Sequence, residues 1–174
     1  GKNRVDIAVL NGFIHGYEIK SSKDSLNRLP GQFTAYRKSL EKVSVVAAPN
    51  HIDELSEKAP SWCGLILADK GPRGGIHFSN VRVPKPNPEV GAVPVAHLLW
   101  RRETVEILKE LGVERRTLSG PRHVLYQKLS ELVSIRDLSR EIKNCFMARG
   151  DWRADPLPSQ YDGSLQPVSK FQDF

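Results

Sequence analysis

The sequence predicts a mixed α/β fold with a helical segment after it, and three observations lead there. Two β-rich stretches, Val5–Leu10 and Phe13–Lys20, flank Asn11-Gly12, a strong short hairpin signal. One helix then leads to Val43–Ala48, a run of small apolar residues that suits a buried strand. A single intervening helix makes that connection a crossover, so Val43–Ala48 should run parallel to Phe13–Lys20. Helical patterning takes over after residues 84–94, Pro-Lys-Pro-Asn-Pro-Glu-Val-Gly-Ala-Val-Pro, which have the composition of a linker.

In chain order, Ser21–Ser25 is polar and turn-like. The first helix starts near Leu29, or near Asn27 with a distorted start, since Pro30 suits a first turn; it runs to about Glu41. Asn50–Lys58 reads as a short surface helix and Trp62–Ala68 as a strand. The loop Gly71–Gly75 leads into Ile76–Val83, which pairs back as a hairpin. One long helix is expected over Val95–Leu111 with Gly112 as its stop, and a second over Pro121–Val133. Ser134 and Asp137 resemble a capping box opening a third, to about Arg149. The expected organisation is a core over residues 1–83, a linker over 84–94, a helical segment over 95–150 and an extended tail over 151–174.

The chain has 174 residues, 39% of them apolar, enough for a sizeable core in one domain. No stretch approaches a membrane span. No signal peptide shows; the chain opens at Gly1 without an initiator Met, so little follows from that. Cys63 and Cys145 give neither a disulfide framework nor a zinc spacing, which points to a reducing cytoplasm. A formal charge of +6 fits a polyanionic partner, and a mildly basic surface explains it equally well. The excess is diffuse: residues 1–83 hold 12 basic and 8 acidic side chains, and residues 95–153 hold 12 and 8 again.

Chemistry concentrates in the first two strands. Asp6 lies in one, Glu18 and Lys20 in the next, and alternation places Glu18 and Lys20 on one face with Tyr17 and Ile19 on the other. Regular pairing about Asn11-Gly12 sets Asp6 opposite Tyr17, so Glu18 points away; a bulge shifts the register by one and joins the two carboxylates. Paired carboxylates attract a hard cation such as Mg²⁺ or Mn²⁺, and a neighbouring lysine offsets charge. Read alone, Glu18 and Lys20 make a surface ion pair. In the helix, Gln32 and Tyr36 are four apart and share a face.

The order of Arg4-Val5-Asp6-Ile7-Ala8-Val9, Tyr17-Glu18-Ile19-Lys20 and Gln32-x-x-x-Tyr36 resembles the PD-(D/E)XK nuclease superfamily, in its RecB-like branch. Leu98–Arg102 and Ala148–Arg153 resemble an uncharacterised bacterial family assigned to that superfamily. The resemblance implies a restriction-endonuclease-like core, with a helix and strand ahead of Asp6 where only five residues stand. It implies a Mg²⁺- or Mn²⁺-dependent nuclease acting on nucleic acid, DNA above all, in repair, recombination or defence. It implies that Asp6, Glu18 and the Ile19 carbonyl bind metal, that Lys20 is catalytic, and that Gln32, Tyr36 and Arg4 support the site or touch DNA. The alternative is a non-catalytic nucleic-acid-binding module with the same fold. Trp100, Arg101, Arg102, Arg115, Arg116 and Arg122 offer a phosphate-binding surface, or else are solvated arginines on packed helices. Lys70 and Arg73 offer a phosphate grip, or sit on a plain hairpin loop. No membrane partner is expected, and assembly as a homodimer is left open.

Overall fold

A computed structural model describes residues 4–72 and 74–149; Arg73 and the expected tail over 151–174 lie outside the described residues. Five strands form one sheet: β1 (Ile7–Leu10), β2 (Ile14–Lys20), β3 (Lys42–Ala47), β4 (Gly64–Lys70) and β5 (Ile76–Arg82). Their order in the sheet is their order in the chain. β2 is antiparallel to β1 and parallel to β3, β3 is parallel to β4, and β5 returns antiparallel. The α/β class, the hairpin pairings and the parallel crossover are thus as expected. The two crossover helices are α1 (Leu29–Ser39) and α2 (Ile52–Lys58), the latter after a 3-10 turn at Pro49–His51.

The hairpin loop differs from the expected two-residue turn. Within the loop only Gly12 has positive φ, at 73°, and no non-glycine residue among those described has it anywhere. A type I′ turn needs positive φ at both central positions, so the loop widens to Asn11-Gly12-Phe13 between the paired Leu10 and Ile14. That odd count shifts the register by one residue.

α1 buries Leu29, Phe33 and Tyr36 against one sheet face, beside Ala8, Val43, Val45 and Ala47. At Gly16 an added Cβ would lie 2.5 Å from Leu40 Cδ1 and 3.0 Å from Val5 Cγ2, so the missing side chain lets this layer close. The other face is far more open: Ile7, Ile19 and Phe78 are exposed.

The helical segment comprises α3 (Ala92–Ala96), α4 (Arg101–Glu110), α5 (Arg115–Leu118), α6 (Arg122–Leu132) and α7 (Ile135–Ala148). The single helix expected over Val95–Leu111 is broken. Trp100 is extended, and its N–H is taken by the Glu103 carboxylate at 2.7 Å, which starts α4 afresh. Arg149 pairs with Glu103 at 2.6 Å and stacks on Trp100, fixing this break. At α7, Ser134 Oγ accepts from the Asp137 N–H at 3.2 Å and donates to its carboxylate at 2.7 Å. The Pro-rich stretch is pinned to the core: Asn87 is buried and donates to the Arg37 and Leu40 carbonyls. Among the described residues no helix is long and apolar enough to cross a membrane.

Candidate functional site

β2 carries the expected polar residues toward α1. Glu18 and Lys20 are 2% and 5% exposed, and a charged group that deep is tolerated only with partners. Lys20 Nζ donates to Glu18 Oε1 at 2.7 Å and to Gln32 Oε1 at 3.3 Å. Gln32 Nε2 donates to Glu18 Oε1 at 2.6 Å, and the Tyr36 hydroxyl to Glu18 Oε2 at 2.6 Å. The hydroxyl also lies 3.0 Å from the Arg4 carbonyl, while the Arg4 residue itself is exposed. Burial, reinforced by the Glu18 carboxylate, pushes the Tyr36 phenol far above its ordinary value, so it remains a donor.

One step past the last pair, Ile7 with Tyr17, the register sets Asp6 across from Glu18. The three-residue loop thus makes the one-residue register shift that a bulge was expected to make. Asp6 is exposed and outside the strand, and its Oδ2 accepts the Ile19 N–H at 2.7 Å. Glu18, Lys20, Gln32 and Tyr36 therefore meet in one buried network, with Asp6 held at its edge. Among the described residues no three His, Cys, Asp or Glu side chains are grouped to hold a metal.

Sequence reasoning missed a second buried carboxylate. Glu41 Oε2 accepts the Ile14 N–H at 2.8 Å and the Ser139 hydroxyl at 2.6 Å, tying β2 to α7. It also missed a polar group on the open sheet face. His15 Nε2 lies 3.0 Å from Ser44 Oγ, and its Nδ1 lies 3.2 Å from the Tyr17 hydroxyl. Alternation on β2 was the available signal, since it puts His15 beside Tyr17. Burial first, then the Lys42 charge, lowers His15 to about 4. The folded chain therefore binds fewer protons than the unfolded chain between roughly pH 4 and 6.5. Stability should be full above that window and fall as pH drops through it, by about 1–2 kcal/mol after solvent screening. Urea titrations at neutral and acid pH should show the loss, and His15→Gln should flatten it; an unchanged pH profile in the variant would refute His15 as the cause.

A basic corner forms where α4 begins, α5 ends and α6 begins. Arg101 Nη2 donates to the Leu118 carbonyl at 3.3 Å and the Gly120 carbonyl at 3.1 Å, joining the three elements. Arg102 stacks on Trp100 at 4.5 Å and Arg122 lies 6.0 Å over Tyr126. Arg101, Arg102, Arg115, Arg116 and Arg122 are all exposed, and none pairs with a carboxylate among the described residues.

Comparison with known proteins corrects the expected identity. The chain is 28% identical over 158 residues to Protein cII of Enterobacteria phage P4, an alignment covering 84% of this chain and 58% of the relative. It thus spans less than two thirds of that relative's length. No solved structure matches. No nuclease family matches either, so the expectation of a PD-(D/E)XK nuclease, with its hydrolase activity and its bacterial family, is overturned. The catalytic roles of Asp6, Glu18 and Lys20 were implied by that resemblance and lapse with it. The family described as Bacteriophage P4 protein cII matches residues 1–152, and the chain belongs to it.

Proposed function

We propose that this chain is a non-catalytic nucleic-acid-binding module on a restriction-endonuclease-like core, with its basic corner as the binding surface. The observation that carries the reading is the set of five exposed arginines on α4, α5 and α6, none paired with a carboxylate among the described residues. Guanidinium groups suit phosphate because they are permanently charged and present several donors in a fixed fork. Phosphate contacts of this kind supply affinity without sequence preference. A formal charge of +6 adds long-range attraction for a polyanion.

The buried network serves this reading as scaffold. Glu18 already accepts from Lys20, Gln32 and Tyr36, and Asp6 from the Ile19 amide. Mg²⁺ requires near-octahedral oxygen ligands, and an ammonium 2.7 Å from Glu18 competes directly for the same oxygen. This donor set does not fit Mg²⁺ or Mn²⁺, and binding by the arginine surface needs neither. The free thiols Cys63 and Cys145 fit a reducing, cytoplasmic setting.

Fluorescence anisotropy with single-stranded and duplex DNA and with RNA, over a range of salt, tests the reading. Substituting Arg115, Arg116 and Arg122 together by Ser should weaken binding alike for all sequences. The salt slope should become shallower by about one for every arginine–phosphate pairing removed. A wild type that binds no nucleic acid, or a triple variant that binds as wild type does, would refute it.

A further inference from the structure

The geometry points to β5 as the contact strand of a homodimer, in which two copies join their sheets antiparallel across a two-fold axis. β5 is the sheet edge beyond β4, so among the described residues one side of its backbone has no strand partner. Both its faces are open as well: every residue from Ile76 to Val81 is exposed. Four of the exposed side chains in 76–83 are large and apolar, with Ile76 at 65%, Phe78 at 64%, Val81 at 47% and Val83 at 70%. Edge strands in soluble proteins usually carry Lys, Pro or inward charges, or are very short. The opposite edge, β1, is four residues long and so protected by length. β5 has seven residues and neither Lys nor Pro.

A two-fold contact presents the same patch to itself, so the patch must be free of like charge. In 76–83 the only Lys, Arg, Asp or Glu is Arg82. Its guanidinium turns inward to the Cys63 carbonyl at 2.7 Å and the Ala59 carbonyl at 3.5 Å. Along 76–83 a second copy therefore meets no outward-facing like charge on the contact strand. The ladder with β4 shifts register between Leu65 and Ile66, which leaves Val81 as the extra residue and limits regular pairing to Ile76–Asn80. The centre of that stretch is Phe78, so the two Phe78 rings would face each other across the axis.

The area is compatible with a modest dimer. Eight residues in strand conformation span about 27 Å, and burial to about 10 Å on each face removes on the order of 500–600 Å² per copy. The total lies near the lower end of specific interfaces, at about 1,200 Å². Interfaces at this end of the range are mostly weak and transient, so association should show on concentration.

Analytical ultracentrifugation of the full 174-residue chain, from low micromolar to near-millimolar concentration, tests this. Wild type should shift from monomer to dimer. Phe78→Glu, which places two carboxylates face to face, should weaken the dimer by roughly 10²-fold or more, and Ile76→Lys should weaken it in the same direction. Both positions are solvent-facing, and circular dichroism checks that each variant folds. A wild type that stays monomeric, including one that instead binds an extended peptide on β5, overturns the proposal. So does a dimer that both folded variants leave intact. If Phe78→Glu fails to fold, Ile76→Lys alone decides.

Discussion

Replacing Glu18 by Ala should lower the folding free energy by about 3–5 kcal/mol, the range for removing one partner of a buried ion pair. The substitution leaves the Lys20 ammonium at 5% exposure with a single weak acceptor, Gln32 Oε1 at 3.3 Å. It also strips the Gln32 amide and the Tyr36 hydroxyl of their shortest acceptor. Urea unfolding gives the number. Replacing Glu18 and Lys20 together by Met should recover much of the loss, because no uncompensated charge then remains. A Glu18→Ala protein within about 1 kcal/mol of wild type would show that water reaches the cluster, contrary to the buried network described above.

Replacing Glu41 by Ala should cost about 2–3 kcal/mol, since a buried donor left unpaired costs roughly 1–3 kcal/mol. The Ile14 N–H bears most of that loss. The Ser139 hydroxyl can turn to the Ile135 carbonyl, 2.9 Å away. Because Glu41 bonds both Ile14, 27 residues before it, and Ser139, 98 residues after it, its loss should be felt on both sides of the molecule. Hydrogen exchange should quicken by similar factors in β2 and in α7. Unchanged stability, or quickening confined to α7, would show that the carboxylate does not bind the sheet to the helical segment.

Much of the sheet was legible because its signals are local. β-branched runs, one crossover helix and small apolar residues in Val43–Ala48 suffice to set strand identity and direction. The register was not, because Asn11-Gly12 favours a two-residue turn and only the backbone shows Asn11 outside positive φ. The break before α4 was hidden for a similar reason. Leu98-Leu99-Trp100 continues an apolar helical stripe, and its interruption depends on Glu103 being held by Arg149, 46 residues away. Glu18, Lys20, Gln32 and Tyr36 were visible as a set, yet pattern alone could not tell a buried structural network from a reactive one. That distinction lies in how many donors already surround Glu18. Glu41 gave no signal, since its partners lie 27 and 98 residues away.

Because sheet order repeats chain order, each strand's hydrogen-bonded neighbours are its immediate predecessor and successor in the chain. Every inter-strand connection is therefore closed over a short loop or a single short helix, and the entropy of ring closure stays small at each step. Partners within the sheet are never far apart in the chain, and the two parallel pairings each wait on closure over a crossover connection. The longest closure in the chain is that of α7, whose Ser139 meets Glu41 across the largest separation among the hydrogen bonds described.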